Sequence, residues 1–133
     1  MIVLTAAKLS ELLRVNREIN KAVAYKTDTE NYGKVDLWTD GVKAGNLGDC
    51  EDYAIAKRNV LVKQLNYPRE NLLMGTCFVP EANEWHAVLL VMAFEGVLVL
   101  DNRRDNLLFY DQTGYTQWRR EDVSVSDSWV AFV

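Results

Sequence analysis

Gly48-Asp49-Cys50-Glu51-Asp52-Tyr53-Ala54-Ile55-Ala56-Lys57 sets a thiol at the start of a helix, directly after a glycine and an aspartate. The spacing predicts a helix from about Cys50 to Asn66, with Ala54, Ile55, Leu61, Val62 and Leu65 as its buried stripe. Asp49 suits the N-cap, Asp52 repeats the capping-box arrangement with a shorter acid, and Pro68 stops the helix. Unpaired N–H groups and the positive end of the helix dipole favour an anion at such a start, so the thiol pKa is expected to fall. The same donors suit the oxyanion formed when a carbonyl is attacked, and the backbone N–H of Cys50 is the first candidate. The competing reading of Cys50 is a small buried hydrophobe.

Upstream, Leu9, Leu12, Leu13, Val15, Ile19, Ala22 and Val23 recur at helical spacing, with Thr5 or Ser10 as the cap. From Tyr25 to Gly48 the pattern dissolves into polar residues and glycines, with Tyr32, Leu37, Trp38 and Leu47 as isolated apolar anchors. This reads as a long ordered loop with a short helical turn near Trp38, forming one wall of a cleft. Downstream the period changes to two. Thr76 to Val79, Trp85 to Met92, Val97 to Asp101, Leu107 to Tyr110 and Trp129 to Phe132 read as strands. Helices followed by strands predict one α+β domain over residues 1–133, its helices packed on one face of an antiparallel sheet.

A thiol nucleophile needs a base, and His86 is the only histidine in the chain. It opens the apolar run Ala87-Val88-Leu89-Leu90-Val91-Met92, where a structural histidine at a strand end is the bland alternative. Asp101 ends the next strand, Val97-Leu98-Val99-Leu100. Side chains alternate faces along strands, so parity decides whether these two meet. A loop of Met92 to Glu95 puts His86 opposite Asp101. A loop of Ala93 to Gly96 displaces them by two residues but keeps them on one face, still within side-chain reach. A two-residue turn at Glu95-Gly96 separates them further, so convergence predicts a wider loop. An Asp after a strand is otherwise a turn residue. Taken together, Cys50, His86 and Asp101 fill the roles of nucleophile, base and orienting acid in thiol acyl transfer.

The composition agrees with a globular domain: 49% apolar, 11% aromatic and 26% charged residues in 133. A net charge of −4 and a pI near 5.0 argue against nucleic acid or an anionic membrane as partner. The two cysteines, Cys50 and Cys77, have no spacing that demands a disulfide. No run approaches a membrane span, and the first residues are too short an apolar run for a secretory signal. The expected location is cytoplasmic, or periplasmic if a leader has been removed.

Residues 48–57, with Trp85-His86-Ala87-Val88-Leu89 and Val99-Leu100-Asp101-Asn102, resemble the bacterial transglutaminase-like cysteine proteinases. That family includes the periplasmic LapG-type proteases that release biofilm adhesins. The likeness extends to Val15-Asn16-Arg17-Glu18-Ile19-Asn20 and to Tyr32-Gly33 through Asp36-Leu37-Trp38, most of the chain. It implies a papain-like, transglutaminase-like fold and a Cys50, His86, Asp101 triad. The implied reaction is cleavage of a peptide bond in a polypeptide substrate through an acyl-enzyme thioester. Transglutaminase or deamidase chemistry on the same triad, or an inactive papain-like binding domain, are the alternatives. Trp38 is a second oxyanion donor by likeness to transglutaminases, with Asn46 a weaker candidate.

Asp49, Glu51 and Asp52 crowd the thiol, and like charges raise its pKa unless they turn away as caps or bind a cation. The LapG-type relatives depend on calcium, which carries ligand roles onto Asp49 and Glu51. Two carboxylates are an incomplete calcium shell of about six to eight oxygens. No zinc spacing is present. The short chain and missing leader suit a phage-encoded or intracellular relative, which sets an adhesin substrate in doubt.

Overall fold

Thr5 opens the first helix: its Oγ1 accepts a hydrogen bond from Lys8 N at 3.1 Å, and its carbonyl accepts one from Leu9 N at 2.9 Å. The computed structural model describes residues 1–29, 48–122 and 129–131, with backbone alone for 23–29, 48 and 49. Helix α1 spans Ala6–Thr29 and buries Leu12, Val15, Asn16 and Ile19, one stripe at helical spacing. It therefore runs through Tyr25–Thr29, where a loop was expected. No Gly or Pro occurs between Ala6 and Gly33 to stop it.

Helix α2 spans Gly48–Lys63, so Asp49 lies inside its first turn rather than at the cap, and the helix ends before Asn66. Asn66 takes a left-handed φ of 60°, and Tyr67 N returns to Leu61 O at 2.9 Å, which turns the chain before Pro68. Cys50, Ala54, Lys57 and Leu61 form its buried stripe, and Asp52 and Ala56 are buried beside it.

Among the described residues six strands follow: β1 Leu72–Val79, β2 Glu84–Ala93, β3 Gly96–Leu100, β4 Leu108–Phe109, β5 Thr116–Glu121 and β6 Trp129–Ala131. They form one sheet in the order β4-β3-β2-β1-β5-β6, antiparallel at every pairing. Strand β1 begins four residues earlier than expected. Leu72, Leu73 and Met74 are all buried, as happens when both faces of a strand are covered and alternation disappears. Strand β5 was not foreseen, because Thr116-Gln117-Trp118-Arg119-Arg120-Glu121 offers one apolar anchor, Trp118.

Two apolar clusters divide the interior. Leu72, Met74, Leu89, Val91, Leu98 and Leu100 pack with Leu12, Val15, Ala54 and Leu61 of the helices. Cys77, Val79, Val88, Leu90 and Val99 pack with Tyr115 and Trp118. The architecture is α+β, as expected from the order of elements. Among the described residues no helix is long and apolar enough to cross a membrane.

Strands β2 and β3 settle the question of parity. Ala93 pairs with Gly96 and Leu89 with Leu100, so the chain turns on Phe94-Glu95 alone. Gly96 has a φ of 149°, which side chains rarely adopt. The loop is tighter than expected, yet the register equals the expected two-residue displacement. Asp101 follows Leu100 and so falls opposite Val88, one same-face step from His86.

Candidate active site

Strand β3 ends opposite Leu89, so among the described residues β2 continues toward its start with no strand paired on that side. The N-terminal turn of α2 comes to this open edge. Ala87 N donates to Cys50 Sγ at 3.3 Å, and the sulfur takes the place of a ladder acceptor beside the residue after His86. Cys50 is 7% exposed. Its pKa is raised, because burial outweighs the backbone N–H groups of Ala87, Cys50 and Glu51, which lower it; the Glu51 charge adds to the rise. The depressed thiol pKa expected from the helix terminus is therefore not found. The donors are in place, but desolvation is the larger effect.

His86 lies 3% exposed and Asp101 1% exposed. His86 Nε2 is 2.7 Å from Asp101 Oδ1. An ionised carboxylate only accepts, so Nε2 is the ring nitrogen that donates in this contact, which leaves Nδ1 as the other ring nitrogen. Asp101 receives two further bonds. Arg103 N donates to Oδ1 at 2.8 Å, the local Asx turn, and Tyr115 Oη donates to Oδ2 at 2.7 Å. Burial pushes the Asp101 pKa up, but the His86, Tyr115 and Arg103 contacts prevail and hold it below the usual carboxylate value. One aspartate is thus both the residue of a local turn and the hydrogen-bond partner of His86.

Tyr115 was not anticipated. It stands between Gly114 and a polar strand, and no spacing ties it to Asp101. Its ring meets the His86 ring edge-on, with centroids 5.8 Å apart. Burial and the Asp101 carboxylate raise its pKa to about 12, so the hydroxyl stays a donor. Beneath the site, Lys57 is completely buried and its Nζ has no hydrogen-bond partner among the described residues. It lies 5.8 Å from the centroid of the Tyr53 ring. Burial lowers its pKa to about 7, against the pull of Asp101 and Asp105.

Glu51 is partly buried, and burial raises its pKa. Trp38, Asn46 and the side chain of Asp49 fall outside the described residues. The expected second oxyanion donor, Trp38, and the carboxylate of the expected calcium ligand Asp49 therefore fall outside what the structure describes. Among the described residues no group of three or more His, Cys, Asp or Glu side chains is placed to hold a metal. Both cysteines are free thiols.

The sequence profile of the bacterial transglutaminase-like cysteine proteinases (BTLCP) matches residues 1–133. The chain belongs to that family. Three solved structures of Legionella pneumophila LapG are similar to this proteinase-family chain. The calcium-bound form has a TM-score of 0.62 at 20% identity, over 90% of this chain and 66% of that one. A second LapG structure gives 0.59 at 22% identity, over 84% of this chain and 62% of that one. The EGTA-treated form gives 0.55 at 17% identity, over 100% of this chain and 88% of that one. At these identities the likeness is one of fold, and the chain spans just under two-thirds of the first two LapG chains. No curated protein sequence matches the chain significantly.

Proposed function

We propose that this family member is a thiol peptidase in which Cys50 is the nucleophile, His86 the base and Asp101 the group that orients the histidine. The observation that carries the reading is the buried 2.7 Å contact of His86 Nε2 with Asp101, beside a Cys50 sulfur held at the neighbouring Ala87 N–H. With Nε2 committed to Asp101, Nδ1 is the ring nitrogen left to take the thiol proton. The sulfur then attacks the carbonyl carbon of a peptide bond. The tetrahedral oxyanion collapses to a thioester as the imidazolium returns its proton to the leaving amine. Water, deprotonated by the same imidazole, releases the acid and restores the thiol. Burial holds the Cys50 pKa above its ordinary value, so the sulfur must pass its proton to His86 in the course of attack. The backbone N–H of Cys50 is the first oxyanion donor in this reading, and the Trp38 indole the second.

A polypeptide is the substrate that a cysteine proteinase acts on, and water is the proposed acceptor. Calcium belongs to the proposal through Asp49 and Glu51. Glu51 fits it: among the described residues its partly desolvated carboxylate has no cationic partner, a state that a divalent cation relieves. A cation there supplies neutralisation of the Glu51 charge, which acts against a Cys50 thiolate.

The test is release of new amino termini from a denatured protein substrate, with and without calcium, by the wild type and Cys50→Ala. Loss of cleavage in Cys50→Ala is expected, with a lower rate after chelation. Incorporation of an added amine or release of ammonia without chain cleavage would overturn hydrolysis in favour of acyl transfer or deamidation.

A further inference from the structure

Between Leu100, where β3 ends, and Leu108, where β4 begins, residues 101–107 have no strand partner among the described residues. Their carbonyl groups must find donors elsewhere. Two side-chain amides of α1 supply them. Asn16 Nδ2 donates to Arg104 O at 3.1 Å and to Asp105 O at 3.0 Å. One turn on, Asn20 Nδ2 donates to Asp101 O at 3.1 Å and to Asp105 Oδ1 at 3.1 Å, with Arg104 O at 3.5 Å. An amide nitrogen carries two hydrogens, so each residue has both engaged.

The i, i+4 spacing aligns the two amides on one face of the helix. Asn16 is fully buried in a stripe with Leu12, Val15 and Ile19. A buried amide in such a stripe is costly, and the two bonds of Nδ2 offset part of that cost, while Oδ1 has no hydrogen-bond partner among the described residues. Those partners lie 88 and 89 residues away along the chain, on the turn that carries the Asp101 carboxylate to His86. Asn20 also draws in Asp105, and Asp105 and Asp101 are the two carboxylates whose charges act on the buried Lys57.

We infer that Asn16 and Asn20 are positioning residues: they fix the backbone of the 101–105 turn and thereby the direction of the carboxylate that orients His86. They act through Asp101 and not on substrate. The inference rests on the thiol–imidazole reading above.

Two readouts test it. The chain has a single histidine, so an imidazole N–H proton signal in NMR belongs to His86 without ambiguity. Cys77 is 0% exposed and serves as an internal monitor of the fold during thiol labelling. In Asn20→Ala, the slowly exchanging Nε2–H signal is expected to vanish. Labelling of Cys50 by iodoacetamide at neutral pH should slow about tenfold, while Cys77 stays unlabelled. Asn16→Ala should do the same to a smaller degree, and Asn20→Ala should slow His86→Ala no further. Retention of the signal and of wild-type labelling in both variants would overturn the inference. So would labelling of Cys77, which would make the amides general supports of the fold. If His86→Ala alone leaves Cys50 labelling unchanged, the thiol–imidazole reading fails and this inference falls with it.

Discussion

Cys50 and Cys77 flank the same short piece of β2, and they are the same chemical group in two different settings. Cys50 Sγ accepts from Ala87 N at 3.3 Å, whereas Cys77 Sγ faces His86 O at 3.8 Å and acts as a weak donor. Both thiols have raised pKa values, and burial is the first cause for each. For Cys50 three backbone N–H groups work against burial. For Cys77 the charges of Asp101 and Cys50 add to it, with Arg103 a smaller opposing influence. Proximity to the histidine is therefore not what separates a candidate nucleophile from a packing residue. What separates them is whether the sulfur sits among donors or opposite an acceptor.

The largest effect that sharpens this contrast is expected from His86→Ala. Alkylation of Cys50 at neutral pH should fall about 100-fold, the usual worth of a positioned base. Cys77 should remain unreactive in both forms. Mass spectrometry of the labelled peptides measures the two sites in one sample, and equal reactivity of the two thiols in the wild type would break the comparison.

Tyr115→Phe comes next. It removes one donor from the buried Asp101 carboxylate, a bond to a charged group worth about 1.5–3 kcal/mol. Because the folded pKa of Asp101 is depressed, its ionised form stabilises the fold above the unfolded value of about 3.9. That stability is lost as pH falls through the lower folded value. Losing the Tyr115 donor raises the folded value, so the acid unfolding midpoint should move to higher pH. Circular dichroism against pH checks the sign. A smaller change is expected from Cys77→Ala, which trims a buried side chain at roughly 1 kcal/mol of stability. Any proteolysis by the wild type should persist in this variant, since the proposed nucleophile is the other thiol.

The helices were legible because Leu12, Val15 and Ile19, or Ala54 and Leu61, repeat at the spacing that one buried face requires. Strand parity likewise puts His86 and Asp101 on one face from the sequence alone, although the turn between their strands is shorter than expected. Tyr115 and β5 were not legible. A hydroxyl that meets a carboxylate across two separate loops leaves no local pattern, and a strand of mostly polar residues looks like a connection. Asn16 did leave a trace. It occupies a buried position in an apolar stripe, and asking what a polar residue does there would have pointed to a distant partner. The roles of Trp38 and Asp49 depend on side chains outside the described residues.

Strand β3 covers Gly96–Leu100 while its neighbour β2 covers Glu84–Ala93. That difference in length is what admits a sulfur from the helix layer to the plane of the sheet. Two more residues of regular pairing would close the gap with an ordinary carbonyl and leave a tidier, inert sandwich. In this fold the doorway to the proposed chemistry is made by stopping a strand early.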